Sequence, residues 1–102
     1  MIDNKYADYS WDKTAELLAI PSPTGYTEMA AEWVAKQFKD LGFEVVPTTK
    51  GGVLADLGGG DSEDALLLEA HADTLGGMVS EIKQNGRLKL TPLGGLNPNN
   101  TE

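Results

Sequence analysis

Apolar residues near the amino terminus recur at the spacing of an amphipathic helix. The predicted helix covers residues 11–19, and Ser10 before them is a residue type favoured at helix N-caps. At this spacing three apolar side chains share one face: Trp11, Ala15 and Leu18. The helix must end within residues 20–25, which contain two prolines. Proline removes an amide donor and biases the residue before it towards extended backbone.

A second apolar stripe predicts a longer helix in the next segment. This helix begins at Thr27 or Glu28 and ends near Leu41. Five apolar side chains form its stripe: Ala30, Trp33, Val34, Phe38 and Leu41. Gly42 follows at the position where a left-handed residue commonly caps a helix.

Beyond Gly42 the pattern changes to short strands separated by glycine-rich turns. Strands are predicted at residues 43–46, 53–57 and 65–70. The third contains three consecutive leucines, and a run without alternation is typical of a strand covered on both faces in a parallel sheet. Helices combined with such a strand predict an α/β fold in which helices flank a sheet.

Residues 77–92 have the pattern of a β-hairpin around Asn85-Gly86. A two-residue turn is the first option for this dipeptide, but it mixes polar and apolar side chains on both faces. A loop of residues 84–86 separates them better, and the buried face sets the register of a hairpin. We therefore predict this three-residue loop, with Gly86 left-handed. It gives three cross-strand pairs: Ile82 with Leu88, Glu81 with Lys89, and Ser80 with Leu90.

Composition excludes several classes of function. The 102 residues include 16 Asp and Glu against 8 Lys and Arg, a formal charge of −8. This balance argues against binding to nucleic acids or anionic membranes, which require a basic face. The absence of cysteine excludes disulfide scaffolds, cysteine zinc sites and cysteine nucleophiles. No apolar stretch approaches the length of a membrane span or signal-peptide core, so we expect a cytoplasmic protein.

The single histidine, His71, lies directly after the third predicted strand and two residues before Asp73. In a strand that persisted to Asp73, Glu69, His71 and Asp73 would share one face. Ligands bind at the carboxyl ends of strands in open parallel sheets. A carboxylate near an imidazole can orient the ring and leave its other nitrogen free for a metal ion. The alternative is a hydrogen-bonded structural histidine, because His-x-Asp alone is a weak motif.

Three stretches of the chain match, in order, the pattern of a known family. They are residues 17–25 with Glu28, residues 69–76 with Val79, and residues 86–88 with Gly94-Gly95. The chain thereby resembles the N-terminal part of the dinuclear metallo-aminopeptidases known as tetrahedral, deblocking or glutamyl aminopeptidases. The resemblance implies a zinc-peptidase-like, helix-flanked mixed sheet, followed by a hairpin that begins an inserted β domain. It assigns residues 1–74 to the catalytic α/β domain and residues 75–102 to the start of an inserted dimerisation or assembly domain.

The resemblance also implies roles for two residues. His71 would be a ligand of one of two divalent metal ions, zinc or cobalt, and Asp73 would be the catalytic-site residue that steadies His71. The family's other ligands and its general base come later in the sequence than residue 102. The chain alone is therefore expected to be inactive and to bind at most one metal ion weakly. The parent protein would be a homo-oligomer that uses a two-metal-activated water to release N-terminal residues from peptide substrates.

Two alternatives remain beside an N-terminal fragment of a metallo-aminopeptidase. The chain is either that fragment or a complete small binding or assembly module without catalysis, a class consistent with its single histidine. Related zinc dipeptidases and deacetylases share the opening stretch and His-x-Asp. They usually continue with a Val-Val-Pro-like segment, which Thr74-Leu75-Gly76 does not resemble.

Overall fold

The computed structural model describes residues 3–59 and 63–100, which form two helices and two separate antiparallel sheets of two strands each. This is an α/β chain, as predicted. A single-turn 3-10 helix, Pro98–Asn100, follows the last strand. The other elements in chain order are α1 (Asn4–Leu18), α2 (Glu28–Asp40), β1 (Glu44–Pro47), β2 (Val53–Asp56), β3 (Gly76–Ile82) and β4 (Leu88–Leu93).

Helix α1 begins seven residues earlier than the predicted start at residue 11. Asp3 is its N-cap, and the Asp3 carboxylate accepts a hydrogen bond from the Lys5 amide at 3.2 Å. Ser10 lies inside the helix, where its carbonyl accepts the Thr14 hydroxyl at 2.7 Å. The predicted cap at Ser10 is therefore wrong. Aspartate caps as well as serine, and each residue added to an existing helix gains a backbone hydrogen bond.

The predicted bounds of helix α2 are confirmed. Thr27 is its N-cap, and Gly42, which is left-handed at φ +91°, follows the C-cap. It packs against α1 and against β1 and β2. Ala30 on the apolar stripe is fully buried, whereas Leu41 at its end stays exposed. Among residues whose burial the structure describes, only Ala30 and Ser22 are buried, so the core is small.

Strands β1 and β2 form a hairpin in which Val45 lies opposite Ala55. Val45, Val53 and Ala55 are half-buried and their neighbours along each strand are exposed. This alternation is the pattern of a sheet with one covered face, here covered by α2. The two predicted strands are confirmed to within a residue at each end.

The third predicted strand, residues 65–70, is not formed. The segment is irregular, and Leu66, Leu67 and Leu68 are 86%, 68% and 77% exposed. A strand that is apolar on both faces needs neighbouring strands and covering layers, and the described residues supply neither. The prediction of a strand here is wrong for this structure, and with it the expected parallel pairing.

The second hairpin, β3 with β4, confirms most of its predicted register. Lys83 and Arg87 close a loop of residues 84–86, and Gly86 is left-handed at φ +79°. The pairs Ile82 with Leu88 and Glu81 with Lys89 are confirmed. The pair Ser80 with Leu90 is wrong, because a register shift at Ser80 places Val79 opposite Leu90. The Ser80 hydroxyl instead donates to the Lys89 carbonyl at 3.1 Å.

No helix or other strand that the structure describes packs on this second hairpin. The radius of gyration is 18.0 Å, against about 13 Å for a compact chain of this length. The molecule extends 62 Å along its longest axis. None of the described helices is long and apolar enough to cross a membrane.

Candidate active site

The loop after α1 pairs with the segment that contains His71. Pro23 and Thr74 form an isolated parallel bridge. The Thr74 amide donates to the Ser22 carbonyl at 2.7 Å, and the Thr24 amide donates to the Thr74 carbonyl at 3.2 Å. The prolines in this loop prevent helix and leave its carbonyls available for pairing. The first and second family-like stretches thereby meet through their backbones.

Asp73 lies at the centre of this contact and has a partner on each carboxylate oxygen. Its Oδ2 accepts the Thr24 hydroxyl at 2.8 Å, although the two residues are 49 positions apart in sequence. Its Oδ1 lies 3.0 Å from Nδ1 of His71. The same Nδ1 also lies 3.0 Å from the Asp73 carbonyl oxygen. The result is a chain of contacts from the Thr24 hydroxyl through Asp73 to the imidazole.

This geometry determines which nitrogen of His71 carries the proton. Both partners of Nδ1 are oxygens that only accept hydrogen bonds, so Nδ1 must be the donor. In the neutral ring Nε2 then presents its lone pair, and it does so to solvent because the His71 side chain is 86% exposed. An imidazole held in this way by a carboxylate is the usual arrangement of a metal-ligating histidine.

The pKa of Asp73 lies below its ordinary value of 3.8. The main cause is the hydrogen bond from Thr24, followed by the hydrogen bond and charge of His71, while partial desolvation acts in the opposite direction. These donors favour the ionised carboxylate. Asp73 is therefore an anion at neutral pH and a permanent acceptor for the imidazole.

The turn after β4 closes against the same hydroxyl. Gly94 has φ +64°, and a Cβ atom built on it would lie 2.8 Å from Oγ1 of Thr24 and 3.7 Å from the Leu75 side chain. Only glycine fits this position without displacing a neighbour or straining the backbone. The third family-like stretch thus also reaches the site, beside Thr24.

Sequence comparison identifies the family of the chain. A sequence profile described as M42 glutamyl aminopeptidase matches residues 51–102. The chain belongs to this family. The resemblance to glutamyl-type aminopeptidases that the motifs predicted is therefore confirmed, and it covers the segment with His71 and Asp73.

Three relatives of this M42 chain have names that place them among the aminopeptidases. YhfE of Bacillus subtilis strain 168 is 45% identical over 87 residues, which is 85% of this chain. The glutamyl aminopeptidase of Lactococcus lactis subsp. cremoris strain MG1363 is 28% identical, and the lysyl aminopeptidase of Pyrococcus furiosus is 30% identical, each over 89 residues or 86% of the chain. In each case the aligned part is 25% of the relative, so this M42 chain spans about a quarter of its relatives' length.

The structure brings two of the three residues of the predicted cluster together. His71 and Asp73 are in contact, but the face that they were predicted to share with Glu69 does not exist, because the strand is not formed. In the described part of this M42 chain, no three His, Cys, Asp or Glu side chains are grouped closely enough to hold a metal ion. A catalytic zinc ion usually has three protein ligands. The donor set fits one imidazole ligand with its supporting carboxylate, and not a complete site.

Thr24 is the site residue that sequence reasoning missed. It lies within the first family-like stretch, but spacing along the chain cannot pair residues 49 positions apart. A threonine in a proline-rich loop is also ordinary turn chemistry. The only signal for Thr24 in the sequence was indirect. The resemblance to the family depended on the first stretch and the His71 segment occurring in the same chain.

Proposed function

We propose that this chain is the N-terminal part of a metal-dependent aminopeptidase that hydrolyses N-terminal residues from peptides. Membership of the M42 glutamyl aminopeptidase family and the aminopeptidase names of three relatives support this activity. The observation that carries the proposal is the exposed His71 imidazole, held by Asp73 within the segment that the family profile matches.

In this proposal His71 is a metal ligand through Nε2, and Asp73 is the catalytic-site residue that positions it. The ionised Asp73 carboxylate accepts a hydrogen bond from the Nδ1–H group of His71, which leaves the Nε2 lone pair directed away from the carboxylate and free for a metal ion. When bound, a pair of zinc or cobalt ions supplies polarisation of the scissile carbonyl and acidification of a water molecule. In this proposal the other ligands and the general base lie outside the residues of this chain.

The proposal includes a division of the chain at residue 74. Residues 1–74 belong to the catalytic α/β domain, and residues 75–102 begin an inserted domain used for dimerisation or assembly. The support is that β3 starts at Gly76 and that its hairpin packs on no other described element. Several apolar side chains of the hairpin are exposed and available to a partner: Met78, Val79, Ile82, Leu88 and Leu90. We propose a homo-oligomer as the parent assembly.

The same reasoning applies to residues 65–70. We propose that they become a strand of a helix-flanked, zinc-peptidase-like sheet when the rest of the parent chain is present. The three exposed leucines support this, because an uncovered run of this kind loses the stabilisation that burial of apolar surface provides. Strand formation would also bring His71 to the carboxyl end of the sheet, where ligands bind.

The test is a peptidase assay on the protein purified at its native length. We expect release of N-terminal residues from peptides, loss of this activity with a chelator, and its return with Zn²⁺ or Co²⁺. His71→Ala should lower kcat/KM at least about 100-fold, because it removes a metal ligand. Asp8→Asn, a change on the exposed surface of α1, is the control and should leave activity unchanged.

Activity that survives both chelation and His71→Ala would contradict the proposal. Preferential cleavage of dipeptides or of N-acyl amino acids would instead assign the protein to the related dipeptidases or deacetylases.

A second candidate is a small binding or assembly module without catalysis. It is favoured by one observation, the lack of a grouped metal-ligand set among the described residues. The intact mass of the protein from its own cells separates the two. A mass several times 10.9 kDa supports the aminopeptidase, whereas a mass of 10.9 kDa without metal-dependent cleavage supports the module.

A further inference from the structure

We infer that Thr24 is a positioning residue for the metal-ligating imidazole of His71, acting through Asp73. This inference rests on the proposed function, since it requires His71 to be a ligand. It adds a residue that lies 49 positions before Asp73 in the sequence, in a loop that contains no metal-binding side chain. It also gives the Pro-Ser-Pro-Thr-Gly loop a defined role, which is to support the metal ligand.

The first step of the argument is the geometry at the carboxylate. A carboxylate with one hydrogen bond can rotate about its Cβ–Cγ bond and exchange its two oxygens. Asp73 has a donor on each oxygen, the Thr24 hydroxyl on Oδ2 at 2.8 Å and the His71 Nδ1 on Oδ1 at 3.0 Å. Rotation would break both bonds, and hydrogen bonds to a carboxylate are stronger than neutral ones. Thr24 therefore fixes the plane of the carboxylate, and this plane fixes the ring of His71.

The second step is that Thr24 itself is held in place. Its amide donates to the Thr74 carbonyl at 3.2 Å, and the Thr74 amide donates to the Ser22 carbonyl at 2.7 Å. These two bonds set the register of the bridge between Pro23 and Thr74. They hold the Thr24 backbone against Thr74, the residue that follows Asp73, and from there the Thr24 hydroxyl reaches the Asp73 carboxylate.

The third step is the close approach of the turn after β4. A Cβ atom on Gly94 would lie 2.8 Å from the Thr24 hydroxyl oxygen, so this turn limits the space on the side of Thr24 near Gly94. The backbone bridge and the turn at Gly94 thus lie on either side of Thr24, whose hydroxyl contacts Asp73. A threonine that only closed a loop would not need its hydroxyl at the carboxylate.

The experiment compares hydroxyl-deleting and hydroxyl-retaining variants in the protein at its native length. Thr24→Val keeps the shape of the side chain and removes the hydroxyl, and Thr24→Ser keeps the hydroxyl. Thr27→Val is the matched control, because Thr27 lies three residues further on and its side chain makes no capping hydrogen bond. The two readouts are the dissociation constant for Zn²⁺, from competition with a chromophoric chelator, and the separate values of kcat and KM.

We expect Thr24→Val to weaken Zn²⁺ binding about tenfold, the lower end of the range for residues that support metal ligands. At limiting Zn²⁺ the kcat should fall by a similar factor while KM stays nearly constant, because in this inference Thr24 acts on the metal ligand and not on the peptide. Thr24→Ser should retain Zn²⁺ affinity to within about twofold, and Thr27→Val should match the unmodified protein.

Several outcomes would overturn the inference. Unchanged Zn²⁺ affinity in Thr24→Val would do so, as would a Thr24→Ser variant as impaired as Thr24→Val, which would assign the effect to packing. If Thr24→Val does not fold, Thr24→Ala takes its place, since it also lacks the hydroxyl and introduces no new contact. Loss of Zn²⁺ binding in His71→Ala with none in Thr24→Val rejects this inference alone. No loss in His71→Ala rejects the proposed function itself.

Discussion

At the scale of single residues, the contacts of the site converge on the Asp73 carboxylate. Hydrogen bonds from Thr24 and His71 favour its charged form, so its pKa in the folded protein is lower than in the unfolded chain. A lowered carboxyl pKa contributes stability that is present above the unfolded pKa and is lost as pH falls through the folded pKa. The contact between the loop and the His71 segment is therefore sensitive to acid.

The pKa of Asp73 gives the first prediction at this scale. Because the Thr24 hydrogen bond is its largest cause, Thr24→Val should raise the pKa of Asp73 towards 3.8 in the metal-free protein. An NMR titration of the Asp73 carboxyl carbon measures this directly. Thr24→Ser should keep the pKa low. An Asp73 pKa that is equal in the unmodified protein and Thr24→Val would show that the hydroxyl is not its partner.

The choice of N-cap in α1 is also decided by single residues. Asp3 and Ser10 are both good caps, and nothing between them breaks a helix. The prediction from apolar spacing placed the start of the helix at Trp11, the first apolar position of the stripe. The structure instead starts it at the earlier cap, because the exposed residues 4–9 add backbone hydrogen bonds and need no buried face.

At the scale of elements, local turn chemistry determines one part of the second hairpin, and packing determines another part. Its loop and two of its cross-strand pairs follow from Asn85, Gly86 and the alternation beside them. The shift at Ser80 does not follow from alternation, because a bulge adds a residue to one strand without a clear change in pattern. Past the bulge, β3 and β4 run to Gly76 and Leu93, and the turn at Gly94 reaches Thr24.

Two glycines in this hairpin region provide a matched pair for a prediction. Gly86 and Gly94 are both left-handed, but a Cβ atom on Gly86 meets nothing within 4 Å, whereas one on Gly94 meets the Thr24 hydroxyl at 2.8 Å. Both Gly86→Ala and Gly94→Ala should cost about 1–2 kcal/mol in backbone strain. Only Gly94→Ala should also weaken Zn²⁺ binding and lower kcat.

Thermal unfolding and the Zn²⁺ competition assay distinguish these effects. Equal Zn²⁺ affinities in the two variants would show that the turn after β4 does not support the site.

At the scale of the whole molecule, the chain is extended and buries little. The first hairpin packs on α2, the second hairpin packs on no described element, and the leucines between them are exposed. A chain with so small a core is marginally stable at best, because stability depends on apolar surface removed from water. These surfaces are consistent with a segment that spans a quarter of its relatives' length.

Backbone hydrogen exchange tests this view of the whole molecule. In the 102-residue chain the amides of Leu66, Leu67 and Leu68 lie outside any strand and should exchange rapidly. In the protein at its native length, pairing in a sheet should slow their exchange by a factor of about 1,000 or more. The loop amides at residues 84–86 serve as an internal reference. Rapid exchange of the leucine amides in both proteins would contradict the proposed strand.

The sequence by itself determined the features that depend on near neighbours. These are α2 with its glycine cap, the strands of the first hairpin, the loop of residues 84–86, and the adjacency of His71 and Asp73. Such features follow from side-chain periodicity and turn chemistry over a few residues, which the chain order already contains. Family membership followed from the same local motifs read in order.

Only the tertiary structure decided the rest. The contact between Thr24 and Asp73 depends on how two segments 49 residues apart come together, and no spacing rule encodes that. The state of the three leucines depends on what covers them, since the same run is a buried strand inside a sheet and an irregular segment without one. Burial and long-range pairing depend on the whole fold, and they determine both the core and the support of His71.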